Sequence, residues 1–140
     1  MKTICLSLLA LFIVFMGVSC QKQGSPPDDL LDKEWRLTDW SVSSLHPADF
    51  MITATFTPDT MSGRSAVNQY TGHYTLTKDS GFSIDSLTMT EIGGSEEEMN
   101  AERIYYELLN QAKKYVLNPS SFRLLDENNN ELLIFAYLHK

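Results

Sequence analysis

Cysteine is scarce in this chain, and where it stands excludes more than its number does. Of two cysteines in 140 residues, Cys5 lies inside an apolar leader and Cys20 at that leader's end. A domain built from the residues after Cys20 therefore has no disulfide and no thiol nucleophile, and its stability must come from a packed core. Histidine is equally thin. His46, His73 and His139 stand at no metal-ligand spacing such as HxH or HExxH, and no serine sits in a GxSxG elbow. Positive charge is short as well, with 11 Lys and Arg against 18 Asp and Glu and a net charge of −7. That balance argues against nucleic acid and anionic headgroups as partners. After Cys20 no apolar run approaches membrane-spanning length. These absences set the expectation of a non-enzymatic chain with no cofactor, no metal site and no catalytic residue.

What is present begins at the N-terminus. Lys2 supplies a short positive region, and Ile4 to Val18 is almost wholly apolar, interrupted only by Cys5 and Ser7. This suits a signal peptide and is short for a helix crossing about 30 Å of hydrocarbon. Gly17-Val18-Ser19-Cys20 has the small-residue exit of a lipobox, although Gly17 stands where leucine is usual. The reading is a signal peptide at 1–19 and lipidation at Cys20; the alternative is an uncleaved N-terminal anchor. One acyl chain, at about 0.8 kcal/mol per buried methylene, holds only reversibly, so the two or three of a processed lipoprotein make a permanent membrane anchor. Gln21 rather than Asp after Cys20 suits the outer membrane with the domain facing the periplasm, the cell surface being the alternative. Cleavage removes Lys2 and leaves ten Lys and Arg against eighteen acidic residues, a net charge of −8. Residues 20–29 read as a lipidated N-terminus and tether, polar, then Pro26-Pro27, then Asp28-Asp29. Residues 30–140 form one domain, of a size that buries roughly two-thirds of its unfolded surface.

Within that domain the hydrophobic period changes. Phe50 to Thr57 alternates strictly, with Phe50, Ile52, Ala54 and Phe56 on one face, and Tyr70 to Thr77 repeats the pattern with Tyr70, Tyr74 and Leu76 inward. Both predict half-buried strands. Further strands are expected at 35–40, 82–87, 115–117, 122–126 and 131–138, with Asn128-Asn129-Asn130 turning the last hairpin and Asn118-Pro119 breaking the step before it. One helix lies between them. Ser95 and Glu98 form a capping box, Glu96, Glu97 and Glu98 suit a helix N-terminus, and Ala101, Ile104, Tyr105, Leu108 and Ala112 make an apolar stripe. Lys113 and Lys114 close the other end with the favourable sign. The glutamate cluster reads as capping charge rather than as a metal site. The fold class is α+β and mostly β: an antiparallel, strongly curved sheet or half-barrel of about seven to eight strands with one helix packed on it, since a single helix is too few for parallel crossovers.

The run Met61-Ser62-Gly63-Arg64-Ser65-Ala66-Val67-Asn68-Gln69-Tyr70-Thr71-Gly72-His73-Tyr74 resembles the "sGxxGCNxyxGxY" signature of the HslJ-like META domain family. Trp35 in the opening strand and Leu87-Thr88-Met89-Thr90 before the helix fall in the family's order. Glu102, Tyr105, Leu109 and Tyr115 are similar to its "ExxfLxxLxxvxxY" pattern, and Leu124, Leu132 and Phe135 complete the terminal hairpin. The resemblance spans roughly residues 30–138. It departs where the family's Gly-Cys-Asn is Ala66-Val67-Asn68, and where a second frequent cysteine gives way to Ile92-Gly93-Gly94. Losing both together is what a structural cysteine pair in relatives implies. The resemblance implies the fold, an envelope location and a link to stress tolerance, and brings no agreed biochemical activity.

Gly63, Asn68, Tyr70, Gly72, Tyr74, Thr90 and Glu102 are the motif positions that either build the fold or bind something. Asn68, between Val67 and the aromatic strand, is either an amide satisfying backbone at a bend or a polar handle in a groove beside Tyr70 and Tyr74. Trp40, read as exposed, marks either a recognition patch or packing. Two functions from different classes stay open: a stress-related interaction module for an envelope protein, or a curved sheet holding a small hydrophobic ligand or peptide among Tyr70, Tyr74, Phe56 and Phe82.

Overall fold

The computed structural model describes residues 24–41 and 45–138. The signal peptide, the lipidation site Cys20, the tether as far as Gln23, and His139 lie outside the described residues.

Alternation becomes sheet wherever apolar residues recur at every second position. The strands are β1 (Glu34–Trp40), β2 (Thr53–Phe56), β3 (Thr60–Arg64), β4 (Gln69–Leu76), β5 (Phe82–Met89), β6 (Lys114–Asn118), β7 (Ser121–Leu125) and β8 (Glu131–Tyr137), with α1 (Glu96–Gln111) between β5 and β6. All pair antiparallel in one eight-stranded sheet of order β5-β4-β3-β2-β1-β8-β7-β6. The sheet curls into a half-barrel whose two outer strands touch at one end. There Phe82 N donates to Lys113 O at 2.8 Å and Tyr115 N to Ser80 O at 2.9 Å. Past this join β5 and β6 have no further pairing, and α1 packs on β5 and β8.

The inward faces make a continuous core. Trp35, Phe56, Tyr74, Phe122 and Phe135 meet edge-on or tilted, with Phe56 5.2 Å from Tyr74 and 5.1 Å from Phe122 between ring centroids. Leu30 is fully buried, and its carbonyl accepts the Trp35 indole N–H at 3.1 Å. The segment entering the domain is thereby fixed under the joined end of the sheet.

Helix α1 follows its sequence signals. Ser95 Oγ accepts from Glu98 N while the Glu98 carboxylate accepts from Ser95 N, so the capping box is complete. Ala101, Ile104, Tyr105, Leu108 and Leu109 face the sheet. The helix stops at Gln111, so Lys113 and Lys114 do not close its last turn; Lys114 instead opens β6 opposite Leu125. The Asn128–Asn130 turn is present, with Asn129 in the left-handed region at φ 67° and the Asp126 carboxylate accepting from the backbone of Asn128 and Asn130.

Two further expectations change, and one strand was not expected. The strand read from Phe50 begins only at Thr53, because Pro47–Phe50 wind into a 3-10 turn that ends at Met51 with φ 55°. Strand β3 escapes the alternation rule, since Met61 is its only buried side chain. Trp40 is buried rather than exposed, its indole N–H donating to Leu45 O at 2.8 Å.

Candidate functional site

The motif residues converge where β3, β4, β5 and α1 meet, at the end of the sheet away from the β5–β6 join. Position 102 lies three and seven residues before Tyr105 and Leu109, so Glu102 falls on the buried stripe of the helix. A carboxylate there must find donors. The loop between β3 and β4 supplies them. Glu102 Oε2 accepts from Asn68 N at 2.8 Å, from Val67 N at 3.1 Å and from the Ser65 hydroxyl, and Oε1 accepts from Asn68 Nδ2 at 2.7 Å. Burial raises the Glu102 pKa, but these donors outweigh it and hold the carboxyl below its ordinary value. Glu102 is 5 % exposed, and none of the ion pairs among the described residues engages it.

Asn68 is the hub. Its Oδ1 accepts from Thr90 Oγ1 at 2.8 Å and Ile92 N at 2.7 Å, while Nδ2 donates to Ile92 O at 3.1 Å and to Glu102. All four hydrogen-bonding positions of the amide are used. Asn68 thus ties the β3–β4 loop to the segment after β5 and to α1. Thr90 also accepts from Gln69 N at 3.1 Å, extending the β4–β5 pairing by one residue.

A second layer of hydroxyls lies beneath. Tyr70 OH donates to Thr53 O at 2.8 Å, which leaves Tyr105 OH, 2.7 Å away, to donate to Tyr70. Tyr106 OH donates to Ser65 Oγ at 3.0 Å. Burial raises both the Tyr70 and Tyr105 hydroxyl pKa well above the ordinary tyrosine value. Tyr74 lies lower on the same strand, where its OH donates to Thr57 O at 2.7 Å; burial and then the nearby Asp59 charge push its pKa up to about 12.

The glycines of the motif answer to close approach. A Cβ on Gly63 would lie 2.1 Å from Thr53 O, inside the β2 backbone, so no larger residue fits. At Gly72 a Cβ would stand 3.1 Å from the Ile84 and Leu87 side chains, opposite an irregularity in β5 where Ser86 takes φ 51°. A Cβ at Gly94 would lie 2.6 Å from Val67 Cγ2. The segments around Val67 and around Gly94 are therefore neighbours, joined through Asn68 and Ile92.

A profile of the META domain matches residues 28–137. The chain belongs to the META domain family. Two solved structures share the fold seen here. One, determined by NMR, is a protein from Burkholderia xenovorans, 22 % identical, covering 79 % of this chain and 85 % of its own with a TM-score of 0.62. The other is a crystal structure of a DUF4847 family protein from Bacteroides vulgatus, 15 % identical, covering 79 % of this chain and 96 % of its own with a TM-score of 0.56. No curated protein matches the chain.

Of the predicted motif positions, the structure brings together Gly63, Asn68, Tyr70, Thr90 and Glu102, and sets Gly72 and Tyr74 farther along β4. Ser65, Tyr106 and the Ile92 backbone belong to the same cluster and were not singled out by sequence. The available signal was the charge at 102 on an apolar stripe, which demands partners. His73 projects outward, exposed, between Thr60 and Asp85, and His46 precedes the 3-10 turn. Among the described residues no three His, Cys, Asp or Glu side chains are placed to hold a metal ion. No described helix is long and apolar enough to cross a membrane.

Proposed function

We propose that this chain is an envelope lipoprotein, anchored to the outer membrane by acyl chains on Cys20, whose HslJ-like META domain faces the periplasm as a non-enzymatic, stress-related protein-interaction module. The observation that carries this reading is the Asn68–Glu102 clamp. The motif's polar side chains face one another and the backbone, in a network that holds a loop, a strand end and a helix in register. The aromatics Tyr70, Tyr74, Phe56 and Phe82 add support, because they pack into the core where a sheet-bound ligand would have to sit. The lipid anchor rests on the apolar leader and the Gly17–Cys20 exit.

The test uses the full-length protein in its native envelope. Fatty-acid labelling is expected for the wild type and lost in Cys20→Ala, and in-cell crosslinking is expected to trap a discrete protein adduct. Label retained in Cys20→Ala overturns the lipoprotein half. A hydrolytic turnover that Asn68→Ala abolishes in a folded protein overturns the non-enzymatic half.

A further inference from the structure

The outward side chains at the clamp end form an arrangement that the fold does not need. Among the described residues five large apolar side chains are exposed, and three of them stand together: Met89 at 43 %, Ile92 at 60 % and Met99 at 39 %. They line one depression of about 360 Å³, which adjoins at Met99 a second of about 710 Å³ along the outer face of α1. Glu91, Glu96 and Glu97 rim the two, exposed, and none of the ion pairs among the described residues engages them. A helix N-terminus explains Glu96 and Glu97. It explains neither Glu91 nor three apolar side chains left in water beside it.

We propose that this face docks a cationic amphipathic segment of a partner protein, its apolar side chains against Met89, Ile92 and Met99 and its lysines or arginines over Glu91, Glu96 and Glu97. The inference rests on the interaction-module reading and names the partner's chemistry. Methionines suit such a role because an unbranched, polarisable side chain re-packs around varied apolar shapes. The carboxylate rim selects positive charge by complementarity. A second copy of this chain is disfavoured, since a two-fold contact would set the same three glutamates against themselves. The bilayer is disfavoured by placement. Gly24 lies beside Leu76 and Lys78 at the far end of β4, the length of an eight-residue strand (about 25 Å) from Met89. A lipid on Cys20, four residues before Gly24, would enter the membrane nearer that end than the methionine face.

The decisive measurement titrates residues 20–140, produced without lipid, with two labelled 18-residue probe peptides. One carries leucine at helical spacing with lysine elsewhere; the other carries the same leucines with glutamate. Binding of the lysine peptide alone is expected, weakening as salt rises. Met89→Ser with Ile92→Ser, and separately Glu91→Lys with Glu97→Lys, are each expected to weaken it at least tenfold. Asp28→Lys with Asp29→Lys, at the opposite end, is expected to leave it unchanged. All six of these residues are exposed, and circular dichroism checks that each variant is folded. Equal loss from both charge reversals, equal binding of the two peptides, concentration-dependent dimerisation through Ile92, or adsorption to anionic vesicles through it each overturns the proposal. A lipoprotein that traps an envelope partner through another face while ignoring the lysine peptide overturns this inference and leaves the interaction module standing.

Discussion

At one end of the half-barrel, β5 and β6 meet through backbone hydrogen bonds, and Trp35, Phe56, Tyr74 and Phe122 pack on one another in the core. At the other end the two outer strands have separated, and Glu102, Asn68, Ser65 and Thr90 hold a helix and two loops together through directed polar contacts. The first end closes by sheet pairing and apolar burial, which tolerate small changes of shape. The second end cannot close by sheet, so it closes with a buried carboxylate whose donors must all be present. Robustness at one end and exact chemistry at the other result from where the strand pairing runs out.

The largest effect is expected at the aromatic end. Phe122 is fully buried against Trp35, Phe56, Tyr115 and Phe135. Phe122→Ala should cost about 3–5 kcal/mol in urea melts, by lost burial and a residual cavity. A cost under about 1 kcal/mol would mean that this end is not where the core is anchored.

The clamp comes next. Glu102→Ala strips four donors of their acceptor, and buried unsatisfied donors at about 1–3 kcal/mol each predict a loss of at least about 3 kcal/mol. Glu102→Gln keeps the shape and one acceptor and should cost less. In a double-mutant cycle, Asn68→Ala should cost far less in the Glu102→Ala background than in the wild type, since the two share their partners. The clamp end should also be the pH-sensitive one. The Glu102 pKa is lowered on folding, so its contribution is complete above the ordinary carboxylate pKa and is lost as pH falls through the folded value. The stability gap between wild type and Glu102→Gln should therefore narrow from pH 7 to pH 3. The gap between wild type and Phe122→Ala should stay level, because no titrating group is removed.

The helix start sharpens the contrast at smaller scale. Ser95→Ala removes the hydroxyl that accepts Glu98 N and should cost about 1 kcal/mol. A cost as large as that of Glu102→Ala would place the clamp end's stability in the cap rather than in the carboxylate.

The periodic elements were the more legible part of the molecule in sequence. Strict alternation over Ile52–Phe56 and Tyr70–Leu76, and a capped stripe over 95–109, are periodic signals that burial alone enforces. Strand β3 carried no such signal, because Gly63 is set by proximity to Thr53 rather than by hydrophobicity. Phe50 misled for the opposite reason, standing in phase with the strand while Pro47 had already committed its segment to a 3-10 turn. At the clamp end, the motif identified Asn68 and Glu102 as special without saying that they bond to each other. Their separation of 34 residues is bridged only by the fold. A charge on an apolar helical stripe says that donors exist and does not say which. Trp40 packs, as the second of its two readings had it, and its indole N–H finds Leu45 O outside the strand, a partner that periodicity does not describe.

The smallest effect tests whether the outer face of the sheet takes part in either end. His73 shares β4 with Tyr70 and Tyr74, which point inward to the clamp end and the aromatic end respectively, yet its own side chain is exposed. Its cross-strand neighbours, Thr60 and Asp85, are polar and solvated. Substitution there removes no buried area and leaves no buried group unpaired, so His73→Ala should shift stability by less than about 0.5 kcal/mol. Tyr74→Ala, one residue on and facing the opposite way, should cost about 3–5 kcal/mol by the same burial argument as Phe122. The adjacent pair isolates sidedness from position along the strand. If His73→Ala destabilises as much as Tyr74→Ala, the inward and outward faces of β4 are misassigned, and with them the division of this fold into two differently built ends.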